Sequence, residues 1–174
     1  MLQYRSLGRR QSLAAAALGG AALAASPVCA ADTRSPIVGS WRLTGFSMTD
    51  QETNVTTTPY GEKPGGMMTY TPGGRYVVFL AGEGRPAPAA PVPTQAEKAD
   101  LFGSIIAAYS GTYRVEGDQM TIRVDTAWTP AWNGTELRRT FAIEGDRLSL
   151  RTNALLNVST GRKIVGNLTL VRVE

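Results

Sequence analysis

Histidine is absent from the 174 residues, and cysteine occurs once, at Cys29. Without imidazole or a set of thiolates, the usual zinc and haem ligand sets cannot be assembled, so no metal and no cofactor is expected. Catalysis by a Ser-His-Asp or Cys-His relay is excluded for the same reason. No Gly-x-Gly-x-x-Gly opens a helix after a strand, and the glycine pairs at 65–66 and 73–74 read as turns, which argues against nucleotide binding. After the first 30 residues no apolar run is long enough to span a bilayer as a helix. Internal repeats and coiled-coil heptads are also missing.

The formal charge of +4 suggests a polyanion partner only at first sight. Arg5, Arg9 and Arg10 lie in an opening stretch that has no acidic residue. Beyond it, 15 basic residues face 14 acidic ones, a net of +1, and nucleic acid is not expected as a partner. That opening stretch has the form of a secretory signal. A basic head precedes the apolar run Leu13–Ala25, which Gly19 and Gly20 interrupt, and Val28-Cys29-Ala30 makes a small-residue cleavage site. Arg9-Arg10-Gln11-Ser12-Leu13 resembles a twin-arginine signal, with Ser12 where an aromatic residue is usual, so twin-arginine and ordinary secretion both stay open. Lipidation at Cys29 is disfavoured, because Val28 stands where a small residue is needed. The expectation is therefore a signal peptide over 1–30 and one domain over 31–174, periplasmic or secreted, with no stable membrane insertion. Such a domain has no cysteine, hence no disulfide and no thiolate nucleophile.

Hydrophobic residues at 43% and charged ones at 18% suit one globular domain with a real core. After a polar tether at 31–36, residues Ile37 to Met48 alternate, with Trp41 and Leu43 on one face and Arg42 and Thr44 on the other, as in a half-buried strand. Residues 49–66 are polar and rich in turn formers. Met67–Thr71 and Arg75–Leu80 flank Pro72-Gly73-Gly74 as a hairpin. The Pro/Ala/Gly-rich segment 81–94 reads as an extended loop.

One helix is expected next. Thr94 and Glu97 have capping-box spacing, and Leu101, Phe102, Ile105, Ile106 and Tyr109 form an apolar stripe that Gly111 ends and that would close the core. Strands are expected at Thr112–Val115, Met120–Ala127, Leu137–Ile143, Arg147–Thr152 and about Lys163–Val173, with turns at Glu116-Gly117-Asp118 and Glu144-Gly145-Asp146. The pattern is all-β and antiparallel, and roughly eight to ten strands favour closure into a barrel, which removes exposed edges.

Gly39-Ser40-Trp41 resembles the Gly-x-Trp pattern at the start of lipocalin barrels. In that superfamily the Trp plugs the closed end and an Arg of the last strand packs over it. Arg172, in phase with Leu168 and Leu170, matches that arginine. The chain further resembles the bacterial and fungal lipocalin-like domain family. The matches run through Val38–Leu43, Tyr60-Gly61, Pro64-Gly65, Tyr70–Arg75, Tyr109 and Gly111-Thr112-Tyr113. They continue through Pro130, Trp132, Gly134-Thr135 and Gly145–Leu148. The resemblance implies a lipocalin-like β-barrel with a pocket for small, mostly apolar molecules. Members often carry histidine on the strand equivalent to Met120–Ala127, where this chain has Ile122 and Arg123. Whatever that histidine does is absent here or done differently.

Several side chains are candidates for a pocket. Arg139 is in phase with Leu137, Phe141 and Ile143, which points it inward. It is either a ligand contact or a structural arginine reaching the rim. Arg123 and Asp125 share a strand face opposite Met120, Ile122 and Val124, so they lie outside or form an acid/base pair in a wet pocket. Tyr70, Tyr76, Tyr109 and Tyr113 can line a pocket or fill the sheet. Trp128 and Trp132 flank Thr129-Pro130-Ala131 and suit a mouth, a lid or the core. Three functions remain open: a binding barrel for a small hydrophobic or amphipathic molecule, an isomerase- or cyclase-type enzyme using Tyr, Asp125 and Arg, and an envelope interaction protein that docks through the 81–94 loop.

Overall fold

The computed structural model describes residues 35–85, 87–157 and 160–174. The expected signal, its cleavage site and Cys29 lie outside the described residues. Ten strands follow in order: β1 (Gly39–Asp50), β2 (Thr56–Thr57), β3 (Gly65–Tyr70), β4 (Arg75–Ala81) and β5 (Ile105–Glu116), then β6 (Gln119–Ala127), β7 (Glu136–Glu144), β8 (Arg147–Thr152), β9 (Leu155–Leu156) and β10 (Lys163–Arg172). One helix, α1 (Gln95–Gly103), lies between β4 and β5.

Every pairing is antiparallel, and β1 pairs with both β3 and β10. That second pairing, from Trp41↔Arg172 to Asp50↔Ile164, closes eight strands into a barrel. The two-residue strands β2 and β9 extend one end of it and were not legible as strands in the sequence. Closure follows from the alternation. Met68 and Tyr70, then Tyr76, Val78 and Leu80, are buried, while their neighbours Met67, Val77 and Phe79 are exposed. With a period of two, each strand turns one side chain in and the next one out.

The helix departs from the expectation. Its capping box forms: the Glu97 amide donates to the Thr94 hydroxyl at 3.2 Å, and the Thr94 amide donates to the Glu97 carboxylate at 2.7 Å. The helix ends at Gly103, however, and buries no residue. Ile105 pairs with Ala81, and Tyr109 with Val78, because the apolar run belongs to β5. The three- and four-residue spacing of Phe102, Ile105, Ile106 and Tyr109 is overridden by pairing with β4, and β-branched Ile105 and Ile106 suit a strand. Gly111 therefore does not stop a helix. It sits mid-strand, where a Cβ would collide with the Arg123 carbonyl of β6.

At one end the barrel is plugged. Trp41 is fully buried, and its indole N–H donates to the Ile37 carbonyl at 2.8 Å. Arg172 lies over that ring, 4.0 Å from its centroid. Gly39, at φ +131°, leaves the space the guanidinium uses, since a Cβ there would come 2.8 Å from Arg172 Nη1. No helix among the described residues is long and apolar enough to cross a membrane.

Candidate functional site

The half of the barrel away from Trp41 is not filled. A cavity of about 240 Å³ lies there, walled by inward side chains of the barrel strands and by the segments that follow β2 and β6. Its apolar walls include Met68, Leu80, Ile122, Leu150 and Leu168.

Aromatic rings form a continuous series across it. Phe102 of α1 meets Trp128 at 6.3 Å between centroids, and Trp128 meets Trp132 edge-on at 4.7 Å. Trp132 then meets Tyr109 at 5.7 Å, Tyr109 meets Tyr76 at 5.6 Å, and Tyr76 meets Tyr70 at 4.7 Å. Such edge and tilted contacts suit ring quadrupoles and hold the rings in fixed orientations. The two tryptophans owe their place to a 3₁₀ turn at Pro130–Trp132, where the Trp132 amide donates to Thr129 and the Asn133 side chain accepts from the Ala127 amide at 2.8 Å. This brings Trp128 and Trp132 onto the cavity wall.

The hydroxyls of Tyr70 and Tyr76 stay protonated. Burial pushes the Tyr70 phenol far up, with the neighbouring Tyr109 adding to it. Tyr76 is raised for the same reasons, burial first and then Tyr109 and Tyr70. The positive charge of Arg139 acts on both in the opposite sense, without offsetting burial. Arg139 is half-buried on β7, paired with Met120 and Thr152, and lines the cavity. Among the described residues, no acidic one lines it.

The family model of the lipocalin-like domain matches residues 38–172. The chain belongs to the lipocalin-like domain family. No curated protein and no solved structure matches it. A lipocalin-like barrel is a fold suited to binding, in which a rigid wall surrounds a space that side chains leave open.

Of the residues singled out in the sequence, this lipocalin-like barrel brings six to the cavity: Tyr70, Tyr76, Tyr109, Trp128, Trp132 and Arg139. Tyr113 does not reach it. That residue backs Tyr70 at 5.1 Å, and its hydroxyl donates to the Thr71 carbonyl at 2.9 Å. Arg123 and Asp125 are on the outer surface, where Asp125 accepts from Arg75 at 2.8 Å. The wet-pocket alternative for this pair is corrected by the pleat of β6, which turns Ile122 and Val124 inward and their neighbours out.

Tyr60 was missed as a site residue. It comes from an irregular segment with no periodicity to read, yet it lines the cavity and packs edge-on against Phe46 at 5.4 Å. A hook holds it: the Glu83 amide donates to the Tyr60 carbonyl at 2.8 Å, and the Glu83 carboxylate accepts from the amides of Glu62 and Lys63. The only signal for it was its place in Tyr60-Gly61, two residues shared with the family. Among the described residues, no group of three His, Cys, Asp or Glu side chains could hold a metal ion.

Proposed function

We propose that this protein is an exported barrel, periplasmic or secreted, that binds a small hydrophobic or amphipathic molecule in the cavity. The observation that carries the reading is the open, aromatic-walled space of about 240 Å³ inside a closed barrel. A space of that size suits a compact molecule rather than a long-chain lipid. It lies just below the range of about 300–1,000 Å³ common for ligand pockets, and its mainly apolar walls with few polar groups follow the same pattern. Burying apolar ligand surface there contributes about 25 cal/mol per Å².

The test is native mass spectrometry of protein taken from the periplasm, followed by solvent extraction. A stoichiometric small molecule is the expected result and identifies the ligand class. Bare protein that also fails to retain any apolar probe would overturn the reading. The enzyme alternative keeps its tyrosines and arginine but loses its carboxylate, since Asp125 faces water. One observation favours an interaction surface beside the pocket: Met67, Val77 and Phe79 are each about half exposed on adjacent strands of the outer wall.

A further inference from the structure

The cavity wall is one-sided in its hydrogen bonding. Among the described residues, Arg139 is the only charged one that lines it. Among the described residues, none of the ion pairs involves Arg139, and its Nη1 donates to the Arg138 carbonyl at 2.8 Å. A guanidinium carries five N–H donors in a planar fork, so most of its capacity remains unused. It shares the cavity wall with the Tyr70 and Tyr76 phenols. Those phenols are held neutral by burial and cannot serve as its counter-ion.

The indole Nε1 of Trp128 is buried out of reach of solvent and has no acceptor among the described residues. A buried N–H of this kind ordinarily has a partner, and leaving it without one costs about 1–3 kcal/mol. Thr152, the one aliphatic hydroxyl on the wall, is already engaged, donating to the Asn153 carbonyl and accepting from the Gly166 amide. The wall thus offers a cation and, among the described residues, no carboxylate acceptor.

We propose that the cavity is built for a monoanion: a compact aromatic or alicyclic carboxylic acid, its carboxylate on the Arg139 guanidinium and its apolar body among the rings. The inference rests on the binding reading above and names its ligand class. An apolar neutral ligand would expel water from Arg139 without replacing the lost solvation, whereas a carboxylate replaces it with two parallel, charge-assisted hydrogen bonds. The affinity of the acid then comes from both ends of the molecule, ring burial and charge pairing.

Two probes of nearly equal shape separate the terms: naphthalene-2-carboxylate and naphthalen-2-ylmethanol, titrated into the purified protein at pH 7 by calorimetry. The carboxylate is expected to bind about ten- to a hundredfold more tightly, the worth of a charged hydrogen-bond pair. Arg139→Met, which keeps a long apolar stem, should remove that advantage, so that the two probes bind this variant with equal affinity. Arg139→Lys should restore part of it, because an ammonium keeps the charge without the fork. If both probes bind the original protein equally, the anion inference is overturned and the binding reading stands. If neither binds, the binding reading itself falls, and this inference with it. The comparison of the two probes on the unaltered protein needs no variant to fold.

Discussion

The guanidinium of Arg172 lies over the indole of Trp41 while donating to the carbonyls of Val38 at 2.8 Å and Pro36 at 2.6 Å. One side chain of the last strand thus ties down both the plug and the chain entering the first strand. Arg172→Ala removes a cation–π contact and two charged hydrogen bonds, and should destabilise the barrel by about 2–4 kcal/mol. Arg172→Lys should recover less than half of that loss, since one ammonium cannot span both carbonyls and the ring. Urea unfolding measures both. A loss below 1 kcal/mol for the alanine variant, taking about 1 kcal/mol as the worth of one neutral hydrogen bond, would show that the contact is incidental.

Gly111 and Gly103 predict opposite outcomes for the same substitution. A methyl at Gly111 meets the Arg123 carbonyl of the neighbouring strand, so β5 and β6 must separate at their bulge. Gly111→Ala should cost at least about 2 kcal/mol. Gly103 closes α1 and a Cβ there meets nothing within 4 Å. Gly103→Ala should therefore be neutral or stabilising by up to about 1 kcal/mol. Equal melting temperatures for the two variants would contradict the strand assignment of Gly111.

High pH should unfold the barrel through its buried phenols. Tyr70 and Tyr76 have ordinary values of 10.0 when unfolded, and burial raises both in the folded state. The folded protein therefore holds these protons more tightly, which contributes stability that is fully present below pH 10.0 and is lost as pH rises above it. Phenolate absorbance should show these two rings titrating only together with unfolding. The double variant Tyr70→Phe, Tyr76→Phe, which keeps the rings and removes the protons, should shift the alkaline transition upward. A smooth titration of all tyrosines near 10.0, with the fold intact, would contradict this.

The Arg75–Asp125 pair should matter little. Both side chains are well exposed, 57% and 42%, and surface pairs of this kind contribute about 0–1 kcal/mol. Asp125→Asn should leave stability within that margin and leave probe binding unchanged. A large loss of binding would return Asp125 to the site and revive an acid/base role.

Most strands could be read in advance, and so could the capping box, because both are local. Alternation in Arg147–Thr152 reports which side is apolar whatever the partner strand, whereas Arg75–Ala81 is apolar on both faces and was read from the turn that precedes it. Thr94 and Glu97 meet within one turn. The inward phase of Arg139 was legible for the same reason. Ile105, Ile106 and Tyr109 were not assigned correctly, because a short apolar run fits helix or strand until its partner is known. Pairing with β4, across a loop and a helix, decided it. Tyr60 was hidden in an irregular segment whose position depends on Glu83, twenty-three residues away in the chain.

By itself the sequence determined a closed antiparallel barrel, its plug and the absence of histidine chemistry. The barrel and the missing histidine chemistry follow from residue type, strand count and a two-residue period, and the plug from the resemblance to lipocalin barrels. Tertiary structure alone decided that the interior is left open, that six aromatic and cationic candidates share that space, and that Asp125 and Tyr113 do not. The volume of a cavity and the company a side chain keeps depend on how strands far apart in the chain curve and register against one another, and no local pattern carries that information.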